Sequence, residues 1–332
     1  MLLDSILLTG GAGYIGSSIA YYLLKQGKNV IIVDNFENST QQNIDNLPNK
    51  ENLKIYNVDC CNYQSLEHIF KSNKIHTVIH LAGHKAVAES ISSPLKYYEN
   101  NLLSTMNILK CVSVYGIAKM IFSSSATVYG TQESPLYETT PIGKGITNPY
   151  GMTKYMGECM IMDVAKTIPK TDFIILRYFN PVGSVENGLI CENPRDIPNN
   201  LMPVLIRSIR EQQTLKVFGN DYGTHDGTPA RDFIHIEDLA KGHISAIGFE
   251  NPDKKQNLYV FNLGTGKSHT VMEVIHTFEK VNKMKISYEI VGRREGDLEN
   301  VYCDPTVARE ILGWKAEKTL TDMCDFRFLF QN

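Results

Sequence analysis

Tyr150 and Lys154 stand four residues apart, and the run Ser123-Ser124-Ser125 ends 25 residues before the tyrosine. On a helix a spacing of four puts both side chains on one face. A tyrosine is a poor base at neutral pH because its proton leaves at about pH 10, but an ammonium held beside it favours the phenolate. A serine hydroxyl next to that phenol can hydrogen-bond a reacting oxygen and relay its proton. Ser125, Tyr150 and Lys154 therefore read as a redox site that handles an alcohol proton, with Ser123 and Ser124 finishing the strand that delivers Ser125.

The redox partner is suggested by GGAGYIG, which begins at Gly10. Gly10, Gly13 and Gly16 supply a tight turn, close approach to a pyrophosphate and helix-to-strand packing, with backbone N–H groups aimed at the anion. The motif follows an apolar run, opens an apolar helical stretch and is succeeded by Asp34 at the end of a second apolar run. That context separates a dinucleotide site from a turn that merely closes a βα unit. A carboxylate at Asp34 accepts ribose hydroxyls and repels a 2′-phosphate, and NFENSTQQN holds no arginine, so NAD is favoured over NADP. Two look-alikes fail on spacing. GTGKS, Gly264 to Ser268, ends like a phosphate-binding loop, but Phe261 stands where its first glycine belongs, which leaves a strand-to-helix turn. His80 and His84 straddle a strand end, so no metal pair is expected.

Short apolar runs alternating with helical patterns must position these groups. SILLT, NVIIVD, LKIYNVD, HTVIHLA, KMIFSSS and DFIILRYF imply an α/β fold with a doubly wound parallel sheet, whose ligands sit at the carboxyl ends of the strands. Ser93-Pro94 reads as N-cap and first residue of a helix that Gly116 stops after Tyr115, and Asn148-Pro149 opens the helix carrying Tyr150. After Asn180 the chain turns to loops rich in Pro, Asn and Gly, so residues 1–180 are expected to form the dinucleotide domain and 181–332 a smaller substrate domain. YVFNLG, Tyr259 to Gly264, is the run that would return to the large sheet.

With 332 residues, 42% hydrophobic and 21% charged, the chain can bury a full core and falls outside disordered and collagen-like classes. A net charge of −3 gives no field to gather a polyanion, so nucleic acid is not an expected partner. Its seven cysteines are scattered without a C-x-x-C pair, and Cys60 and Cys61 are adjacent, which points to free thiols in a reducing compartment. MLLDSILLTGG carries Asp4, no basic n-region and too short an apolar stretch for a membrane span, so the expectation is a first strand in a cytoplasmic protein.

Taken together, GGAGYIG, Asp59, LAGHKAV, SSSATVYG, YGMTK, RYFNPVG, NNLMP, FGNDY, RDFIH and RREGD resemble the UDP-glucose (UDP-galactose) 4-epimerases of the extended short-chain dehydrogenase/reductase family, from about Ile6 to Trp314. The resemblance implies a Rossmann sheet, a retained NAD and a role in galactose metabolism. Tyr150 would take the sugar 4-hydroxyl proton as hydride leaves C4 for the nicotinamide. The 4-keto sugar would turn over in the pocket, and return of hydride to its opposite face would invert C4. Besides the three glycines, Asp34, Tyr150 and Lys154, the resemblance places Tyr14, Ile15, Asn35, Asn38, Ser39, Asp59, Cys60, Leu81, Ala82, Gly83, Lys85, Asn100 and Phe179 at NAD contacts. For the UDP-hexose it nominates Asn180, Asn200, Leu201, Val217, Phe218, Arg231, Arg294, Asp297 and Val301 alongside Ser125 and Tyr150. Guanidinium forks at Arg231 and Arg294 suit two phosphates; the plainer alternative is that they pair with Asp232 and Glu295. A homodimer through the helices of Pro94 to Tyr115 and Pro149 to about Ile168 is also implied, although their apolar faces could equally be core.

Val301 falls where the family varies the size of the sugar-pocket wall, and its small side chain leaves room at C2 for UDP-N-acetylhexosamines. A 4,6-dehydratase or decarboxylase of the same family would carry acids just after the serine, where Ala126 and Thr127 stand here. A hexuronic-acid 4-epimerase stays open. A non-catalytic NAD sensor on this fold would be expected to have lost the serine, tyrosine or lysine.

Overall fold

Side chains that alternate along each apolar run divide between two cores, and a sheet covered on both faces results. The computed structural model describes residues 4–193, 198, 200–252, 255–294 and 296–330. Its main strands are β1 (Ser5–Thr9), β2 (Asn29–Asp34), β3 (Leu53–Asn57), β4 (Ile75–His80), β5 (Lys119–Ser125), β6 (Asp172–Tyr178) and β7 (Leu258–Leu263). All pair in parallel, in the order β7-β6-β5-β4-β1-β2-β3. In β1, Ile6 and Leu8 enter one core and Leu7 the other; Val30 and Ile32 part from Ile31 and Val33 in β2 in the same way. Helices α1 (Tyr14–Lys25) and α5 (Ile236–Gly248) close the first core. The second is closed by α2 (Tyr63–Ser72), α3 (Pro94–Tyr115) and α4 (Pro149–Ala165).

The chain runs outward from β1 to β3, then returns to the far side of β1 as β4. The crevice at that reversal is where open α/β sheets bind ligands. Asn148 accepts the Gly151 N–H at 2.8 Å, with Pro149 in the first turn, so α4 starts stiffly one residue before Tyr150. Ser93 stands at the cap of α3 without a side-chain cap bond, and Gly116, at φ +61°, ends it. The active-site helix stops at Ala165, short of Ile168.

Between β6 and β7 the chain builds most of a separate layer. Ala230–His235 pairs with Asn180–Val182, Ser268–Thr270 and Asn300–Val301, and Leu215–Phe218 pairs with Tyr288–Val291. Met202, Leu205, Phe233, Phe278 and Phe326 fill its core. Because β7 then joins β6 in the large sheet, this layer is interleaved with the sheet in sequence. Among the described residues no helix is long and apolar enough to cross a membrane.

Candidate active site

The turn after β1 is tight because it must be. A Cβ on Gly16 would lie 2.4 Å from the Gly10 carbonyl oxygen, and one on Gly10, at φ +66°, would lie 2.9 Å from Ala82 N. Helix α1 begins after Gly13, which has no side chain to cap it, so its first-turn amides are left without a side-chain acceptor and suit an anion. Asp34 braces the turn: its carboxylate accepts from Ala12 N–H, Phe36 N–H and the Ser39 hydroxyl, each at 2.9 Å. A carboxylate offers about four acceptor sites, so capacity for a ribose hydroxyl remains. Across the crevice, Thr9 Oγ1 accepts from Leu81 N–H and Ala82 N–H at 3.2 Å each, and buried His80 bridges Thr9 to Thr105. Asn101 holds His84 through both its backbone groups and reaches Thr153 on α4.

The predicted cofactor residues line these edges with differing roles. Asn35, Asn38 and Asp59 are exposed, while Cys60 and Phe179 are buried. Asp59 accepts the Cys61 N–H at 2.8 Å, and Asn100 bonds Asn101. Ile15 packs into the core under α1. Tyr14 sends its hydroxyl to the Gly183 carbonyl at 2.8 Å, so what it can offer a dinucleotide is backbone. Lys85 reaches Glu192 at 2.7 Å. The cradle of glycines, the uncapped amides and the braced carboxylate fit an adenine dinucleotide without a 2′-phosphate.

At the end of β5 and the start of α4 the three catalytic candidates meet. Ser125 faces the Tyr150 phenol, and Lys154 Nζ lies 5.9 Å from the centre of the tyrosine ring while donating to the Ser123 carbonyl at 2.6 Å. The electrostatics differ from the expectation. Burial pushes the Tyr150 phenol up from its ordinary value and the Ser125 hydrogen bond works against it, while the ammonium donates to the Ser123 carbonyl. Burial also pushes Lys154 down to about 8, with Glu158 opposing.

On the substrate side, Arg231 and Arg294 converge on one carboxylate. Asp297 lies 3.6 Å from Arg231 and 2.8 Å from Arg294, and the Arg294 guanidinium sits 5.7 Å from the centre of the Phe218 ring. Two guanidiniums sharing one carboxylate keep a net positive charge suited to a diphosphate. The ion pairs weighed from sequence are not these. Asp232 turns to the GTGKS bend, accepting from Thr265 N–H at 2.8 Å and Gly266 N–H at 3.0 Å, so a side-chain anion fills that turn. Glu295 of RREGD and Asn199 of NNLMP lie outside the described residues. Val301 is the β-partner of Arg231, and Asn180 that of Phe233. Val217 is core and pairs with Ile290, so its side chain is not offered to a ligand, and Leu201 packs against that core. Asn200 donates to Glu192 at 3.1 Å.

Sequence reasoning passed over Thr9, His80, Asn101, Glu158 and Arg177, which hold the site from behind. Glu158 carried a signal, a carboxylate four residues beyond Lys154 on the same helix.

The profile of the NAD dependent epimerase/dehydratase family matches residues 6–264. A UDP-glucose 4-epimerase of Dictyostelium discoideum is 45% identical over 326 residues, 97% of this chain and 94% of its own length. One from Haemophilus influenzae is 45% identical over 96% of this chain and 95% of its own. The UDP-glucose 4-epimerase of Bifidobacterium longum, solved with NAD+ and UDP, superposes with a TM-score of 0.92 at 43% identity over 99% of both chains. A UDP-Glc/GlcNAc 4-epimerase from Campylobacter jejuni gives 0.83 at 32% identity, covering 99% of both chains. A seven-stranded parallel sheet with a dinucleotide cradle, a serine, tyrosine and lysine at its edge, and full-length kinship on this scale leave one conclusion: the chain belongs to the NAD-dependent epimerase/dehydratase family, in its UDP-glucose 4-epimerase branch.

Proposed function

We infer that the chain interconverts UDP-glucose and UDP-galactose by inverting C4 on a retained NAD. The observation that carries this is the meeting of Ser125, Tyr150 and Lys154 at the carboxyl edge of the sheet that carries the dinucleotide cradle. When bound, NAD supplies a hydride acceptor and, oxidised, a positive ring. Tyr150 takes the proton from the sugar 4-hydroxyl and later returns it, while Ser125 hydrogen-bonds that oxygen and relays the proton. Raised by burial, the phenol is protonated until cationic charge is brought to it; Lys154, with Nζ 5.9 Å from the ring centre, contributes to that charge for as long as it keeps its own proton. With NAD bound, the trigonal C4 of a 4-keto sugar would present either face to the nicotinamide, so hydride return to the opposite one would invert C4 with no net redox change. Arg231 and Arg294 hold the diphosphate throughout.

Val301, small and only partly buried, supports turnover of UDP-GlcNAc and UDP-GalNAc as well. Leu95, Leu103, Met106 and Val114 are exposed on α3 and Met156 on α4, which supports a homodimer through these helices. The free thiols support a reducing, cytoplasmic setting.

The test is to incubate purified protein with UDP-galactose and no added cofactor. UDP-glucose should form and NAD should be released on denaturation. Absence of both sinks the reading.

A further inference from the structure

Ser125 comes from β5, and Tyr150 and Lys154 come from α4, so the reaction geometry depends on what holds that helix to that strand. Three consecutive serines each do one part. The Ser123 carbonyl accepts from Lys154, the Ser124 hydroxyl donates to Glu158 Oε1 at 2.5 Å, and Ser125 faces Tyr150. Glu158 is fully buried, at 0% exposure. Arg177 of β6 grips both its oxygens, Nε to Oε1 at 3.0 Å and Nη2 to Oε2 at 2.7 Å. Arg177 also donates to the Tyr129 hydroxyl at 2.9 Å, which donates to Asn262 of β7 at 2.6 Å. A continuous set of contacts thus runs from α4 through β5 and β6 to β7 beneath the site.

A buried ion pair is weak evidence for stability, since apolar packing of the same volume often does as well. Its neighbour gives it another use. Lys154 is buried one helical turn away, and a buried ammonium tends to lose its proton. We propose that Glu158 is a positioning residue for the epimerase reaction: clamped by Arg177 and Ser124, its carboxylate keeps Lys154 protonated and locks α4 to the serine end of β5. The inference rests on the epimerase reading and names a residue through which that site is tuned.

Burial takes Lys154 down to about 8, and Glu158 is the group that opposes the fall. The other neighbours do not substitute for it. His80 of β4 is pushed down to about 3 by burial and by Lys154, and so is neutral. Arg177 of β6 is itself a cation, held so by Glu158, and Tyr178, its phenol pushed up by burial, is neutral, so neither supplies the negative charge. From β5 the ammonium meets the Phe122 ring and the Ser123 carbonyl. From α3, Asn101 contacts Thr153, and Glu89 of Val87–Ser92 is taken by Lys96 and Tyr97.

Glu158→Gln keeps the size and removes the charge. The double variant Glu158→Gln, Arg177→Met leaves no unpaired buried charge, and serves if the single one does not fold. The holoenzyme is labelled with 13C-lysine, and the Lys154 Cε resonance, assigned by its loss in Lys154→Met, is titrated without substrate alongside kcat and KM over about pH 6 to 10. The Lys154 midpoint and the alkaline limb of kcat should fall together by about half to one pH unit in both variants. KM for UDP-galactose should stay within about twofold, and Glu158→Asp should hold the midpoint. An unmoved Lys154 midpoint, or a loss confined to KM, overturns the proposal. The titration needs no turnover, so its failure is distinct from an inactive parent enzyme, which would sink the epimerase reading instead.

Discussion

Tyr150 is the residue on which the chemistry turns, and its surroundings separate two things a substitution could damage. Its phenol faces Ser125, and its backbone carbonyl accepts from Thr153 at 2.7 Å, a bond a phenylalanine keeps. Tyr150→Phe should therefore lower kcat by roughly 10²- to 10⁴-fold while leaving bound NAD and UDP affinity as they are, read by turnover and by titration with UDP. Unchanged turnover would show that another group takes the proton and would overturn the role given to Tyr150. Val301 is paired with the strand of Arg231 and packs against the cluster of Val128, Tyr129, Leu136, Phe179 and Cys303. On the proposal that Val301 walls the sugar pocket at C2, Val301→Tyr should cut kcat/KM for UDP-GlcNAc by more than about tenfold, with UDP-glucose nearly unaffected. Equal turnover of UDP-GlcNAc by both proteins would show that this wall does not select.

At the level of the element, the cap of α4 and the glycine turn decide whether these residues arrive in place. Asn148→Ala removes the acceptor for Gly151 N–H and should cost about 1 kcal/mol in urea unfolding, with a fall in kcat that exceeds the rise in KM. A stability loss with kcat intact would show that Pro149 alone sets the first turn. The elements themselves were legible because they are local: alternation marked the six strands up to β6, and an N-cap before proline marked α4. What stayed hidden is what comes from distant parts of the chain. The spacing of Tyr150 and Lys154 placed them on one helix, but it could not show that Lys154 turns to the Ser123 carbonyl, a contact spanning 31 residues. Nor could adjacency reveal that Asp232 serves the GTGKS bend and that Asp297 serves Arg231, since strand pairing sets both.

Across the whole molecule, burying Lys154 sets stability against activity, and pH exposes the conflict. Lys154 has an ordinary value of 10.5 and is pushed down to about 8 by burial. Between those values the unfolded chain binds a proton that the folded chain does not, so unfolding free energy rises with pH across the window. The contribution is present above 10.5 and is lost as pH falls through about 8, where folding must bury the charge. At about 1.4 kcal/mol per unit, the span amounts to about 3 kcal/mol. In the proposed mechanism activity has the opposite sign, since there the ammonium supports a phenolate at Tyr150 and disappears as pH rises through the same range. Lys154→Met removes the titration and little volume. Urea unfolding at pH 7 and pH 10 should show the parent gaining on Lys154→Met by up to about 3 kcal/mol as pH rises, while parent kcat falls above about pH 8. Other thiols and phenols titrate in both proteins and cancel in the comparison. Stability curves that run parallel would mean that Lys154 keeps its proton across the window, held by the Glu158 carboxylate more strongly than burial can remove it.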